Sequence, residues 1–437
     1  MQADSGLPGP AQHLVNQSDG GVVGLRGRLV TGVPGDPVID DGTVVMAGGT
    51  IQWCGPTSDL PAGFDAHIRQ VPLILPGLVD VHCHGAGGDT FSADADGARL
   101  AAAHHAAEGT TSVLASLVSA PSHVLLGQIA VLRDLVADGT LAGLHLEGPF
   151  ITKSMCGAQD PAAIIDGDPA LLKQWLEAGR GTVRSMTLAP ETPHFAELVQ
   201  LCRDCGVVPS LGHTNATAAQ TRDVLAPEGG PEGDAGPWSA THLFNRMPAL
   251  GHRAAGPVAV MLQAAEESPG HMVLELIADG VHLDPEIVRM VFNLVGPRSI
   301  ALITDAMAAA GMSDGHYTLG SLDVLVHDRV ARLAPARGEA APEGEEPGAI
   351  AGATSFLLEN VRRCVEWGIP LADAVAAASC TPARLMGLDR GPARVGAIAA
   401  GYRADVLVAT EELELVQAYR AGTPQTQERN DRADSSV

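Results

Sequence analysis

Eight short apolar runs of strand length recur between residues 78 and 305, and this repetition constrains the fold more than any single motif does. They span 78–84, 110–118, 142–148, 183–189, 207–213, 239–245, 273–279 and 299–305. Helix-type stretches such as GARLAAAHHAAEG, SHVLLGQIAVLRDLVADG, PALLKQWLEAG and HFAELVQLCRDCG separate several of them. Eight β-then-α units imply a closed parallel barrel. The expected fold class is therefore α/β, a (β/α)8 TIM-type barrel. Chemistry in such a barrel gathers at the C-terminal ends of the strands.

The chain ends read differently. Residues 22 to 75 carry short β-type runs between glycine turns, GVVGLRGRLV, GTVVMAGGTIQWCG and HIRQVPLIL, and VGAIAAGYRADVLVAT at 395–410 has the same texture. Both ends are thus expected to build one small β-sandwich domain, from residues 22–75 and 389–421, around a barrel of 76–388 with an insertion near 316–350. The polar segments 1–21 and 422–437 are expected to be disordered tails. The acidic, Pro/Gly-rich ARGEAAPEGEEPGA reads as a solvated loop within the insertion.

A chain of 437 residues suits one large domain and a smaller one. With 27 basic against 51 acidic residues its net charge is −24, which disfavours nucleic acid and anionic membrane as partners. No run approaches the ~20 apolar residues of a membrane span, and the first residues lack the order of a signal peptide, so the expected location is cytoplasmic. Seven scattered cysteines make no disulfide framework, and Cys202 and Cys205, on a helix-type run, read as a structural thiol pair.

The strand ends carry the chemistry. His82 and His84 alternate on one strand and so share a face, where both rings can grip one metal ion. Later strands end in Glu147, His213, His242 and Asp305. His213 and His242 would bind a second ion, and an anion must bridge the two. Many binuclear barrel hydrolases use a carboxylated lysine on strand four. This chain has only Lys153, in a loop, and Lys173, on a helix, so Glu147 is the candidate bridge. Metal hydrolases need a Lewis acid and an acidified water, and Asp305 beside them can accept and return a proton. His145 shares the face of Glu147 and is read as a supporting residue.

Eight motifs in order, PGLVDVHCHG, HLEGPF, TLAPE, GHTNA, THLFNRM, ADGVH, TDAMA and AIAGAT, make the chain resemble the N-acetylglucosamine-6-phosphate deacetylase family of the amidohydrolase superfamily from about residue 22 to 415. The resemblance implies hydrolysis of the acetamide of N-acetyl-D-glucosamine 6-phosphate to D-glucosamine 6-phosphate and acetate, in amino-sugar metabolism. It implies one or two divalent metals per subunit, zinc first and iron, manganese or cobalt otherwise. Glu147, His213 and His242 would hold the better-occupied metal, and Asp305 would be the acid/base. Some members lack both histidines of the first strand; this chain keeps His82 and His84. Substrate contacts are implied at Ala158, Asn245, Arg246, Arg253, His282 and Ile350, Ala351 and Gly352. His282 would donate a hydrogen bond to the reacting carbonyl or a sugar hydroxyl, and Arg253 would reach across a homodimer interface to the phosphate.

Two departures stand out. Relatives commonly show histidine where this chain has Gln159, which could hydrogen-bond sugar hydroxyls without charge. They also commonly have a small residue where Arg246 stands. N-acetylgalactosamine 6-phosphate is the rival substrate. An inactive barrel with an assembly role is the rival reading of another class, although such a protein would be expected to have lost its metal ligands.

Overall fold

A computed structural model describes residues 21–64, 68–92, 94–226, 236–334 and 348–425. Eight parallel strands, Leu78–Cys83, Thr110–Val118, Gly143–Glu147, Val183–Leu188, Val208–Leu211, Trp238–Ala240, Met272–Ile277 and Ile300–Ile303, hydrogen-bond in sequence order into one sheet. The first and eighth meet through Asp305 N–H to His82 O at 2.9 Å and His84 N–H to Ala306 O at 2.8 Å. The barrel thus closes at the residues expected to do its chemistry. Register places Val118, Glu147 and Thr187 side by side at one height of the wall.

Two apolar layers hold the wall. One cluster joins Val79, Leu114, Val208, Val273 and Ile303 from opposite strands and so fills the barrel, with Ala383 and Met386 against it. The other joins the outward residues to the surrounding helices, with Trp175 and Phe150 stacked at 5.2 Å. Helix Pro285–Val295 shows how sequence builds that layer. Asp284 accepts the N–H of Glu286 as its cap, Pro285 starts the first turn, and Val288, Val291, Phe292 and Val295 bury one face. Gly296, at φ 69°, ends the helix in a conformation that favours glycine.

Above the apolar filling the interior turns polar. A chain of hydrogen bonds runs from Ser210 through Thr241 and Thr187 to His145 and Ser116, at 2.6–2.9 Å. Strand Leu78–Cys83 shifts register between Asp80 and Cys83, a bulge of the kind that re-aims side chains next to functional sites.

The chain ends contribute one continuous sheet of seven strands, in which Ile68–Pro76 pairs with Val406–Ala409. Its own core joins Leu25, Val44, Met46, Ile74, Val406 and Tyr419. The expected tail from 422 is corrected at its start. Gly422, at φ 74°, turns the chain so that Thr423–Gln425 adds an edge strand antiparallel to Leu415–Arg420. Residues 1–20 and 426–437 of the expected tails lie outside the described residues, as does 335–347 of the acidic loop. The insertion contains a three-stranded antiparallel sheet, Gly315–Leu319, Leu322–His327 and Val330–Leu333. Its core touches Met307 and Ala351 beside the barrel mouth.

Candidate metal centre

His82, His84, Glu147, His213, His242 and Asp305 converge at the barrel mouth and fall into two groups whose ligand atoms lie within 4.8 Å of one another: His82, His84 and Asp305, and Glu147, His213 and His242. Glu147 faces both. Its Oε1 lies 3.0 Å from His213 Nε2 and 3.1 Å from His242 Nε2, while its Oε2 lies 3.2 Å from His84 Nε2. Asp305 Oδ1 stands 3.2 Å from His84 Nε2 and 3.4 Å from His82 Nε2. His213, His242 and Asp305 take positive φ, 46°, 31° and 51°. Such backbone costs energy for residues other than glycine and recurs at functional sites.

Three imidazoles are fixed from behind. His82 Nδ1–H donates to Glu275 Oε2 at 3.1 Å, His84 Nδ1–H to Ser116 O at 3.2 Å, and His213 Nδ1–H to Met155 O at 2.8 Å. Each acceptor can only accept, so the proton sits on Nδ1 and the Nε2 lone pair points inward. His82 Nε2 is buried without a hydrogen bond, and His213 Nε2 and His242 Nε2 face each other at 3.1 Å. Imidazole nitrogens converging on the Glu147 carboxylate, one of them orphaned, are what a shared cation would satisfy, so these residues fit a divalent metal.

The electrostatics agree. Burial alone would lower the pKa of His82, yet Asp305 and Glu147 push it well above its usual value. Burial also opposes charge on His84, but the same two carboxylates raise it to about 9. Asp305, which burial would raise, is held at about 2 by His82 and His84. The carboxylates therefore demand positive charge at the mouth.

The cluster floors a cavity of about 470 Å³, within the usual range for small-molecule sites. Ala158, Gln159, Asn245, Arg246, His282, Ile350 and Gly352 line it, together with Arg332 from the inserted sheet. Ala351 is buried beneath the lining, its N–H donating to Ala331 O. Arg253 is exposed and lies outside the lining. Asn245 Nδ2 turns back to His242 O at 3.1 Å. His282 Nδ1–H donates to Asp279 Oδ2 at 2.8 Å, which leaves its Nε2 free to face other groups.

The amidohydrolase family model matches residues 73–426. The chain belongs to the amidohydrolase family. As an amidohydrolase it is 30% identical over 353 residues to N-acetylglucosamine-6-phosphate deacetylase of Bacillus subtilis, covering 79% of this chain and 82% of that relative. It is 34% identical over 360 residues to N-acetylgalactosamine-6-phosphate deacetylase of Escherichia coli O157:H7, covering 81% and 88%. The structure of N-acetyl-D-glucosamine-6-phosphate deacetylase from Mycobacterium smegmatis, as a variant in complex with N-acetyl-D-glucosamine-6-phosphate, matches with a TM-score of 0.82 at 36% identity, covering 93% of this chain and 100% of that one. The family generally uses divalent metals, in keeping with the two ligand groups.

Several supporting residues of this amidohydrolase escaped the sequence reading. Glu275, 1% exposed, accepts from His82 Nδ1, Ser239 Oγ and His242 N. Asp80 accepts Thr304 Oγ1 at 2.6 Å across the barrel seam, and burial raises it to about 6. Glu191 accepts Thr152 Oγ1, Thr214 Oγ1 and Asn215 N, binding three mouth loops together. An acidic residue inside a run such as LELI was the available signal for Glu275.

Proposed function

We propose that this amidohydrolase hydrolyses the acetamide of N-acetyl-D-glucosamine 6-phosphate to D-glucosamine 6-phosphate and acetate, in the cytoplasm, as a step of amino-sugar recycling. The observation that carries the reading is Glu147 placed between two histidine groups on the floor of a pocket that also holds Asp305 and Arg246. The relatives named above support the substrate class. Residues 76–388 would form the hydrolase unit, with 22–75 and 389–425 as its companion β domain.

Glu147, His213 and His242 would hold one divalent cation, and His82, His84 and Asp305 a second. Bound there, the metal supplies the Lewis acidity that brings water towards a neutral pKa. Asp305 takes the proton from the attacking water and returns it to the departing nitrogen, so that the C–N bond breaks to a neutral amine. For this it must begin ionised, and the positive charge that His82 and His84 place beside it favours that form. His282, whose Nδ1–H bonds Asp279 and whose raised pKa favours the doubly protonated ring, offers its second N–H, at Nε2, to the acetamide oxygen as charge develops. Arg246 lines the same pocket and would attract the phosphate with its planar fork. In a homodimer the exposed Arg253 would extend into the neighbouring subunit's site.

The second reading, N-acetylgalactosamine 6-phosphate as substrate, is favoured by the 34% identity to the galactosamine enzyme. The two sugars differ at one hydroxyl. Acetate release from each, compared as kcat/KM, tests the proposal. A preference of tenfold or more (~1.4 kcal/mol) for the glucosamine compound supports it, and the reverse preference selects the second reading.

A further inference from the structure

Gln159 lines the pocket, but its amide is committed inside the protein. The side chain is almost wholly buried, at 3% exposure. The backbone N–H of Ser119 donates to its Oε1 at 2.6 Å, and its Nε2 donates to Glu147 Oε2 at 2.6 Å. A backbone N–H can only donate, so Oε1 must face Ser119 and the N–H donor must face the carboxylate. Ser119 Oγ donates in turn to Glu147 O at 3.2 Å, closing a triangle of three residues from three different segments.

The triangle bears on how Glu147 presents its oxygens. The last torsion of a glutamate is broad and roughly two-fold, so nothing intrinsic to the side chain fixes the carboxylate plane. Here the bond from Gln159 anchors Oε2, and Oε1 is left facing His213 Nε2 and His242 Nε2 at 3.0 and 3.1 Å. Rotation of the carboxylate would break a buried, charge-assisted hydrogen bond, the stronger kind.

We propose that Gln159 is a positioning residue for the metal centre: it sets the plane of the Glu147 carboxylate, so that one oxygen serves the His213/His242 group and the other stays towards His84. This rests on the proposed metal role of Glu147 and replaces the expected contact of Gln159 with a sugar hydroxyl. Glutamine suits the task because its amide donates at every pH.

Metal-free protein titrated with Zn²⁺ against a chromogenic chelator tests this without any substrate. Gln159→Leu should weaken cation binding ~10–100-fold, the usual cost of removing such a support, while KM of the enzyme at saturating metal stays within about twofold. Gln159→His, which restores a ring N–H donor, should recover affinity to within about threefold. Gln159→Met, similar in length and without a donor, gives the same comparison if the leucine variant fails to fold. Unchanged cation affinity in both donor-free variants overturns the proposal, and a rise in KM alone returns Gln159 to the substrate. A wild-type chain that holds no cation would overturn the metal reading as well, so the two failures are distinguishable.

Discussion

Glu275 Oε2 lies 3.1 Å from His82 Nδ1, and both side chains are buried. This carboxylate, in the middle of the seventh barrel strand, also accepts Ser239 Oγ and the N–H of His242. One residue thus aims the first histidine of one ligand group and steadies the last of the other. Glu275→Leu leaves two buried donors, His82 Nδ1–H and His242 N–H, without a partner, at about 1–3 kcal/mol each, while Ser239 Oγ keeps Val273 O at 3.3 Å. It should therefore lower stability by several kcal/mol in urea melts and weaken cation binding at least ~10-fold in the same protein. Retention of wild-type metal affinity would show that His82 needs no such support.

Gly212 precedes His213 where the wall is tight. A Cβ there would meet Thr241 Cβ at 2.6 Å and Thr187 Cγ2 at 3.1 Å, both within the polar ladder below the cluster. Gly212→Ala is expected to cost about 1–3 kcal/mol, the range for overpacking a filled interior. It should also displace His213 enough to lower cation affinity, which chemical denaturation and metal titration would report together.

The His282–Asp279 pair gives a pH dependence whose sign can be worked out. Burial opposes charge on His282, but its hydrogen bond and attraction to Asp279 prevail and raise its pKa above 6.5. Burial likewise opposes charge on Asp279, yet His282 holds its pKa below 3.8. The raised histidine contributes stability that is full below about pH 6.5 and lost as pH rises through the folded value. The depressed aspartate contributes above about pH 3.8 and loses it as pH falls through its own. The difference in Tm between wild type and His282→Gln should therefore be greatest near pH 5 and shrink by pH 9, at constant metal content. A gap that grows with pH would contradict the assignment.

Two arginines separate recognition within one chain from recognition between chains. Arg246 lines the pocket whereas Arg253 is exposed outside it. Arg246→Ala should raise KM for the phosphorylated sugar ~10-fold or more, since a hydrogen bond to a charged group is worth about 1.5–3 kcal/mol, and should barely affect the unphosphorylated sugar. Arg253→Ala should raise KM only if sedimentation shows a dimer.

Much of this was legible because barrel strands announce themselves as apolar runs with polar ends. All six cluster residues sit at strand ends that the sequence marks, and the resemblance motifs surround them. What the sequence did not show depends on rotation and register. The positive φ of His213, His242 and Asp305 leaves no trace in residue type. The bulge after Asp80 is set by pairing with the neighbouring strand. Gln159 read as a pocket hydrogen-bonder, and only the position of Ser119 N–H reveals which way its amide points. Arg332 reaches the pocket from an insertion whose fold the acidic run obscured.

The central claim is that a divalent cation held by Glu147, His213 and His242 is required for amide hydrolysis at this mouth. The most direct test is elemental analysis of one preparation, before and after chelation and remetallation, with acetate release from N-acetyl-D-glucosamine 6-phosphate followed in parallel. The account predicts that at least one cation per chain is retained, that acetate release is lost on chelation, and that it returns in proportion to the metal restored. Undiminished acetate release from metal-free protein, or near-wild-type acetate release from remetallated His213→Ala and His242→Ala, would contradict it.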